Sequence, residues 1–144
     1  MQHLFIYGTL LFPELVEKLT GKRFYSIPAI LKGYKRFAVK GCDYPAIIAD
    51  IKFDVHGVLL LNVDEKSMGL LTYYEGRDYV KSKVEVISEK QNYDAVAFVW
   101  ANDIAFLEDF DWNHKSFKEN SLSFYIDRVA PETEREFRES GSQV

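Results

Sequence analysis

Four strand-like runs follow one another at residues 23–30, 34–40, 45–50 and 55–63, and they constrain the fold more than any other feature. They are rich in Ile, Val, Phe and Tyr, and Gly33, Gly41 and Gly57 punctuate them. A fifth apolar run, H-L-F-I-Y at residues 3–7, precedes them and stops at Gly8. Two more, at 80–88 and 93–100, are joined by E-K-Q-N, a hairpin-like connection. So many short apolar strands must curl around one core, as a barrel or something close to it.

Helical patterns are fewer. P-E-L-V-E-K-L-T-G at 13–21 has Pro13 for a first turn, Glu14 near the amino end and Gly21 for the stop. At 64–76, Asp64 suits a cap and Gly76 a terminator. Phe117, Ser121, Phe124 and Arg128 fall three or four apart, and Pro131 is expected to interrupt that helix. Strands mixed with a few helices predict an α+β domain. The 144 residues, 47% apolar and 15% aromatic, fit one packed domain over 1–144, with 126–144 a helical, partly frayed tail.

Charge and composition exclude several functions. The net charge is −4 and no long basic stripe appears, so phosphate-driven nucleic-acid binding is not expected. Cys42 is the one cysteine, which rules out an intrachain disulfide and fits a reducing compartment. The amino-terminal residues do not read as a signal peptide. The longest apolar run, 57–61, is far short of the ~20 residues of a membrane span. A cytoplasmic protein without a membrane partner is the expectation. His3, His56 and His114 stand apart from one another and from Cys42, so no metal site and no cofactor is expected. No G-x-S-x-G elbow, P-loop or G-x-G-x-x-G pattern is present.

Two short stretches carry chemistry. In F-I-Y-G-T-L (5–10), a strand runs into Gly8 just ahead of a helix. Such a junction is either a tight turn or a concavity of N–H groups suited to a carboxylate or phosphate. In Y-Y-E-G (73–76), helical projection sets Glu75 with Met68 and Leu71, and puts Leu70, Tyr73 and Tyr74 opposite. Either the helix end frays and Glu75 reaches water, Arg77 or Lys81, or the acid is desolvated and poised as a general base.

The set Y-G-T-L (7–10), G-Y (33–34), Y-P-A-I (44–47), V-H-G-V-L-L-L-N-V (55–63), Y-E-G-x-x-Y (74–79) and D-W-x-x-x-x-F (111–117) resembles the γ-glutamylcyclotransferase-like family. It is most similar to the AIG2-like branch, which includes γ-glutamylamine cyclotransferases. The resemblance spans roughly residues 3–125. It implies a small α+β fold around a strongly curved, barrel-like sheet. It also implies an activity: a γ-glutamyl amide or γ-glutamyl amino acid closes to 5-oxoproline and frees an amine. Carried over, Glu75 is the acid–base residue, Tyr7, Gly8, Thr9 and Leu10 are the substrate cradle, and Tyr79 lies near the pocket. The implied partner is a small γ-glutamyl molecule; oligomeric state is left open. Thr72 stands where the family often has Asp, Lys81 where Arg is common, and Leu11-Phe12-Pro13 follows the cradle. These departures leave the substrate open, and with it an alternative: a non-catalytic small-acid-binding or regulatory module using the same pocket.

Overall fold

A computed structural model of the chain describes residues 1–141. Five strands, β1 (Gln2–Ile6), β2 (Ser26–Ala38), β3 (Pro45–Val63), β4 (Tyr79–Ser88) and β5 (Gln91–Trp100), close a barrel in the order β1-β3-β2-β4-β5. All neighbours are antiparallel except β1 and β5, which meet in parallel at Leu4 and Val96 and close the ring. The α+β barrel expected from the sequence is the fold observed.

The four runs at 23–63 merge into two long strands. Gly33, at φ +83°, sits where the β2–β3 register shifts between Lys32 and Tyr34. The resulting bulge bends both strands without ending them. Gly57 lies inside β3 and does not punctuate it. A Cβ there would fall 2.2 Å from the Ile6 carbonyl oxygen and 2.8 Å from the Phe5 ring. Its role is to let β1 lie close. The 89–92 hairpin forms as expected around Glu89 and Lys90, both at positive φ.

Alternation along β1 divides the core in two. Phe5 and Tyr7 point into the barrel with Leu31, Ile47, Leu59, Ala95 and Ala97. Leu4 and Ile6 point out, against Leu15, Leu19, Leu71 and Phe117 of a helical layer. That layer holds α1 (Pro13–Thr20), α2 (Glu65–Glu75), α3 (His114–Asn120) and a long carboxyl-terminal run. The run comprises α4 (Leu122–Phe124), a π turn (Tyr125–Val129) and α5 (Ala130–Gly141). Pro131 does not interrupt it. The Ala130 N–H reaches back five residues to the Tyr125 carbonyl, and this widened turn takes the proline, which has no N–H to lose. Ala130 is fully buried and Phe137 packs on the core, so much of the expected tail is docked helix; residues 142–144 lie outside the described residues. No described helix is long and apolar enough to cross a membrane.

Candidate active site

The site lies where four elements end or begin together. β1 runs out at Ile6, β3 starts at Pro45, α2 ends at Glu75 and β4 starts at Tyr79. A narrow cleft of about 20 Å³ is lined by Tyr7, Gly8, Thr9 and Leu10, with Tyr44, Pro45, Glu75 and Tyr79 around them. Every candidate site residue read from the sequence therefore borders one cleft.

The turn differs in detail from the expectation. Gly8 is at φ −136°, so its glycine is not explained by a left-handed backbone. Contact explains it: a Cβ would lie 2.6 Å from Pro45 Cγ and 2.8 Å from Cδ. A single 3-10 turn (Thr9–Leu11) follows, and α1 begins only at Pro13. The turn's first hydrogen bond, 2.9 Å, runs from the Leu11 N–H to the Gly8 carbonyl. The amides of Thr9 and Leu10 stand ahead of it and are not used by the turn. Leu10's side chain anchors in the core.

Glu75 reaches the cleft from the last residue of α2. Asp64 caps the other end by accepting from the Ser67 N–H at 3.1 Å and pairs with Lys22 at 3.2 Å. These contacts, the Ser67 bonds foremost, hold its carboxyl down at about 2. Gly76, at φ +83°, ends the helix with its N–H on the Thr72 carbonyl. The two-sided projection read from the sequence needs correction. Leu70 is buried along with Met68 and Leu71, and Tyr74 turns toward the site; only Tyr73 faces solvent. α2 is wedged between the barrel and α5, so it buries more than one face.

Burial pushes the Glu75 carboxyl up from 4.5 to about 8, with no cation or hydrogen-bond donor pulling it back. Three phenols feel its charge. Burial, then Glu75, raises Tyr7, Tyr74 and Tyr79 well above the ordinary tyrosine value. Their hydroxyls are held by the protein. Tyr7 donates to the Phe98 carbonyl at 2.5 Å and Tyr79 to the Pro45 carbonyl at 2.6 Å. Tyr74 shares a 2.7 Å hydrogen bond with Thr9 Oγ1. With their protons committed, Tyr7 and Tyr79 can only accept from a ligand.

A second chamber of about 220 Å³ also borders Glu75, lined by Thr9, Tyr44, Tyr74, Tyr79, Tyr125, Val129 and Thr133. Sequence reading missed Tyr44, Pro45, Tyr74 and Tyr125. The first two stood in the Y-P-A-I block, but nothing in their spacing tied them to Glu75. Tyr125 arrives through the π turn and donates to Asp43 Oδ1, while Trp112 Nε1 donates to the Asp43 carbonyl at 2.8 Å. Trp112 thus steadies the loop before β3 without lining either chamber. Among the described residues no group of three His, Cys, Asp or Glu could hold a metal. His3 Nδ1 accepts from the Asn62 N–H, and His114 stacks on Phe12 at 4.6 Å.

Comparison with known proteins agrees with this fold. A family model described as gamma-glutamyl cyclotransferase, AIG2-like, matches residues 4–116. Protein AIG2 C of Arabidopsis thaliana is 31% identical over 104 residues, which cover 69% of this chain and 62% of that protein's length. An Arabidopsis thaliana protein solved in solution superposes with a TM-score of 0.69 at 25% identity, covering 89% of this chain and 87% of the other. A solved gamma-glutamyl cyclotransferase shares the fold at a TM-score of 0.60 and 18% identity, covering 86% and 83%.

Proposed function

The chain belongs to the gamma-glutamyl cyclotransferase, AIG2-like family, and from that premise we propose that it cyclises a γ-glutamyl amide or γ-glutamyl amino acid to 5-oxoproline, releasing the amine, with Glu75 as general acid and base. The observation that carries this reading is the position of Glu75: a carboxyl raised to about 8 by burial alone, bordering the same cleft as the Tyr7–Leu10 turn.

The reaction needs little besides position and a proton carrier. The substrate's α-amine attacks its own γ-carbonyl, a C–N bond forms, and the bond to the departing amine breaks. The hydrogens lost by the α-nitrogen are those gained by the departing nitrogen, so no water and no net proton is consumed. One carboxyl can therefore serve both steps: Glu75 accepts from the α-ammonium and then donates to the leaving nitrogen. Amides of the 8–10 turn would hold the α-carboxylate, Tyr7 would wall the pocket, and the Tyr79 oxygen could accept from the α-ammonium. Holding the chain folded supplies rate by converting orientation into structure. The departing group would occupy the chamber lined by Tyr44, Tyr74 and Tyr125.

The test is a panel of γ-glutamyl amides and γ-glutamyl amino acids, with 5-oxoproline followed as product. Wild type is expected to release it, with kcat/KM rising about tenfold per pH unit below pH ~8 as Glu75 deprotonates. Glu75→Gln is expected to lose roughly 10²- to 10⁴-fold with the fold retained. Full activity in that variant, or a ligand that raises the melting temperature and is recovered intact from wild type, would sink the proposal.

A further inference from the structure

Arg36 stands outside both chambers, yet it grips the turn that lines the first. It is on β2, paired in register with Ile47 of β3, and its side chain is about 20% exposed. Its Nη1 donates to the Tyr7 carbonyl at 2.7 Å. The rest of the guanidinium makes a two-pronged pair with Asp111: Nε to Oδ1 at 2.7 Å and Nη2 to Oδ2 at 3.1 Å. Asp111 is held in turn by the Trp112 N–H at 2.7 Å, and the Trp112 ring lies 5.4 Å beneath the guanidinium.

Tyr7 lies one residue past the end of β1, where the β1–β3 ladder has stopped at Ile6 and Val58. A backbone carbonyl left without a partner on a nearly buried residue is costly, and Arg36 supplies what the sheet does not. The consequence reaches the next residue. Among the described residues no peptide is cis, and in a trans peptide the C=O and the following N–H point in opposite directions. A Tyr7 carbonyl fixed on Arg36 therefore turns the Gly8 N–H away from Arg36, and Gly8 is one of the residues that line the cleft.

We propose that Arg36, clamped by Asp111, is the positioning residue of the substrate cradle: it sets the Tyr7–Gly8 peptide plane and so aims the Gly8 N–H at a bound carboxylate. The identity of that carboxylate rests on the cyclisation reading; the orientation of the amide does not. Lysine is a poor replacement, because one ammonium lacks the planar fork that serves Tyr7 and Asp111 together.

The experiment therefore has a ligand-free arm and a kinetic arm. In ¹⁵N NMR of the ligand-free protein, Arg36→Met and Asp111→Asn are expected to move the Gly8 amide resonance and lower its order parameter, Arg36→Met more. With turnover of a γ-glutamyl substrate, KM is expected to rise at least about tenfold in Arg36→Met and less in Asp111→Asn. The rising limb near pH 8 is expected to stay in place, since Glu75 is untouched. Should Arg36→Met not fold, Asp111→Asn and Arg36→Lys carry the same two readouts. A Gly8 amide unchanged in shift and order in the folded variants overturns the proposal, as does a KM at the wild-type value. A loosened Gly8 amide in a protein that releases no 5-oxoproline would uphold the positioning role and overturn the cyclisation reading instead.

Discussion

Glu75 carries a cost that the fold must bear. An unfolded glutamate loses its proton near 4.5, whereas the folded one keeps it to about 8. Folding thus takes up a proton across that interval, and stability falls as pH rises through it. Glu75→Gln removes the titration. The variant is expected to match wild type at pH 4.5 and to be the more stable protein by pH 8. The gain is on the order of 1–2 kcal/mol, after discounting for the solvent that still reaches the carboxyl. Paired thermal melts at pH 4.5, 6 and 8 check this; a gap that fails to widen with pH would mean the carboxyl is ionised in the folded protein. Gly8 shows the opposite kind of residue-level constraint. Its φ is not left-handed, but Pro45 occupies the space of a Cβ. The sequence flagged the glycine; the reason for it lies 37 residues further on.

At the scale of elements, α2 is the part that delivers the acid. It is an 11-residue helix whose first turn is tied by Asp64 and whose last residue is Glu75. Asp64→Ala removes the cap and the Lys22 pair, at a cost of about 1 kcal/mol. A drop in melting temperature of about 3–4 °C is expected at pH 7. The Asp64 pKa is depressed in the folded state, so its contribution is present above 3.8 and is lost as pH falls toward 2. The deficit of the variant should therefore shrink over that window in acid melts. A constant deficit would point to repacking at the helix start, not to lost capping. Capping chemistry made both ends of α2 legible in the sequence, because caps are local. Helical projection failed for Leu70 and Tyr74, since it assumes one buried face and α2 has the barrel on one side and α5 on the other. The π turn was equally hidden: a proline after a helical pattern reads as a break, and only packing reveals that the widened turn takes it.

In the whole molecule, β1 is the shared wall of two cores and its exit is the Tyr7–Leu10 turn. Anything that shifts β1 should therefore disturb stability and site together. Gly57→Ala tests this, since the new Cβ would meet the Ile6 carbonyl oxygen at 2.2 Å and backbone cannot yield as a side chain does. About 3 kcal/mol of destabilisation is expected, together with loss of activity even at temperatures where the variant remains folded. Retained wild-type kinetics in a folded variant would show that the turn is independent of β1's seating.

The sequence by itself determined the strand content, the barrel-like curvature, the hairpin, the ends of α2 and the identity of the Tyr7–Leu10 turn and Glu75 as the chemically unusual stretches. These follow from runs rich in Ile, Val, Phe and Tyr, turn chemistry, capping and an acid among apolar helix residues, all written within a few residues of where they act. Only the tertiary structure decided that strand runs merge across Gly33, that Pro45 explains Gly8, that five tyrosines line the two chambers bordering Glu75 and that Arg36 holds the Tyr7 carbonyl. The last three join residues from separate elements, which come together only when the strands pair and the helices dock on the sheet. The raised pKa of Glu75 belongs there too, because desolvation depends on everything packed around a group and not on its neighbours in the chain.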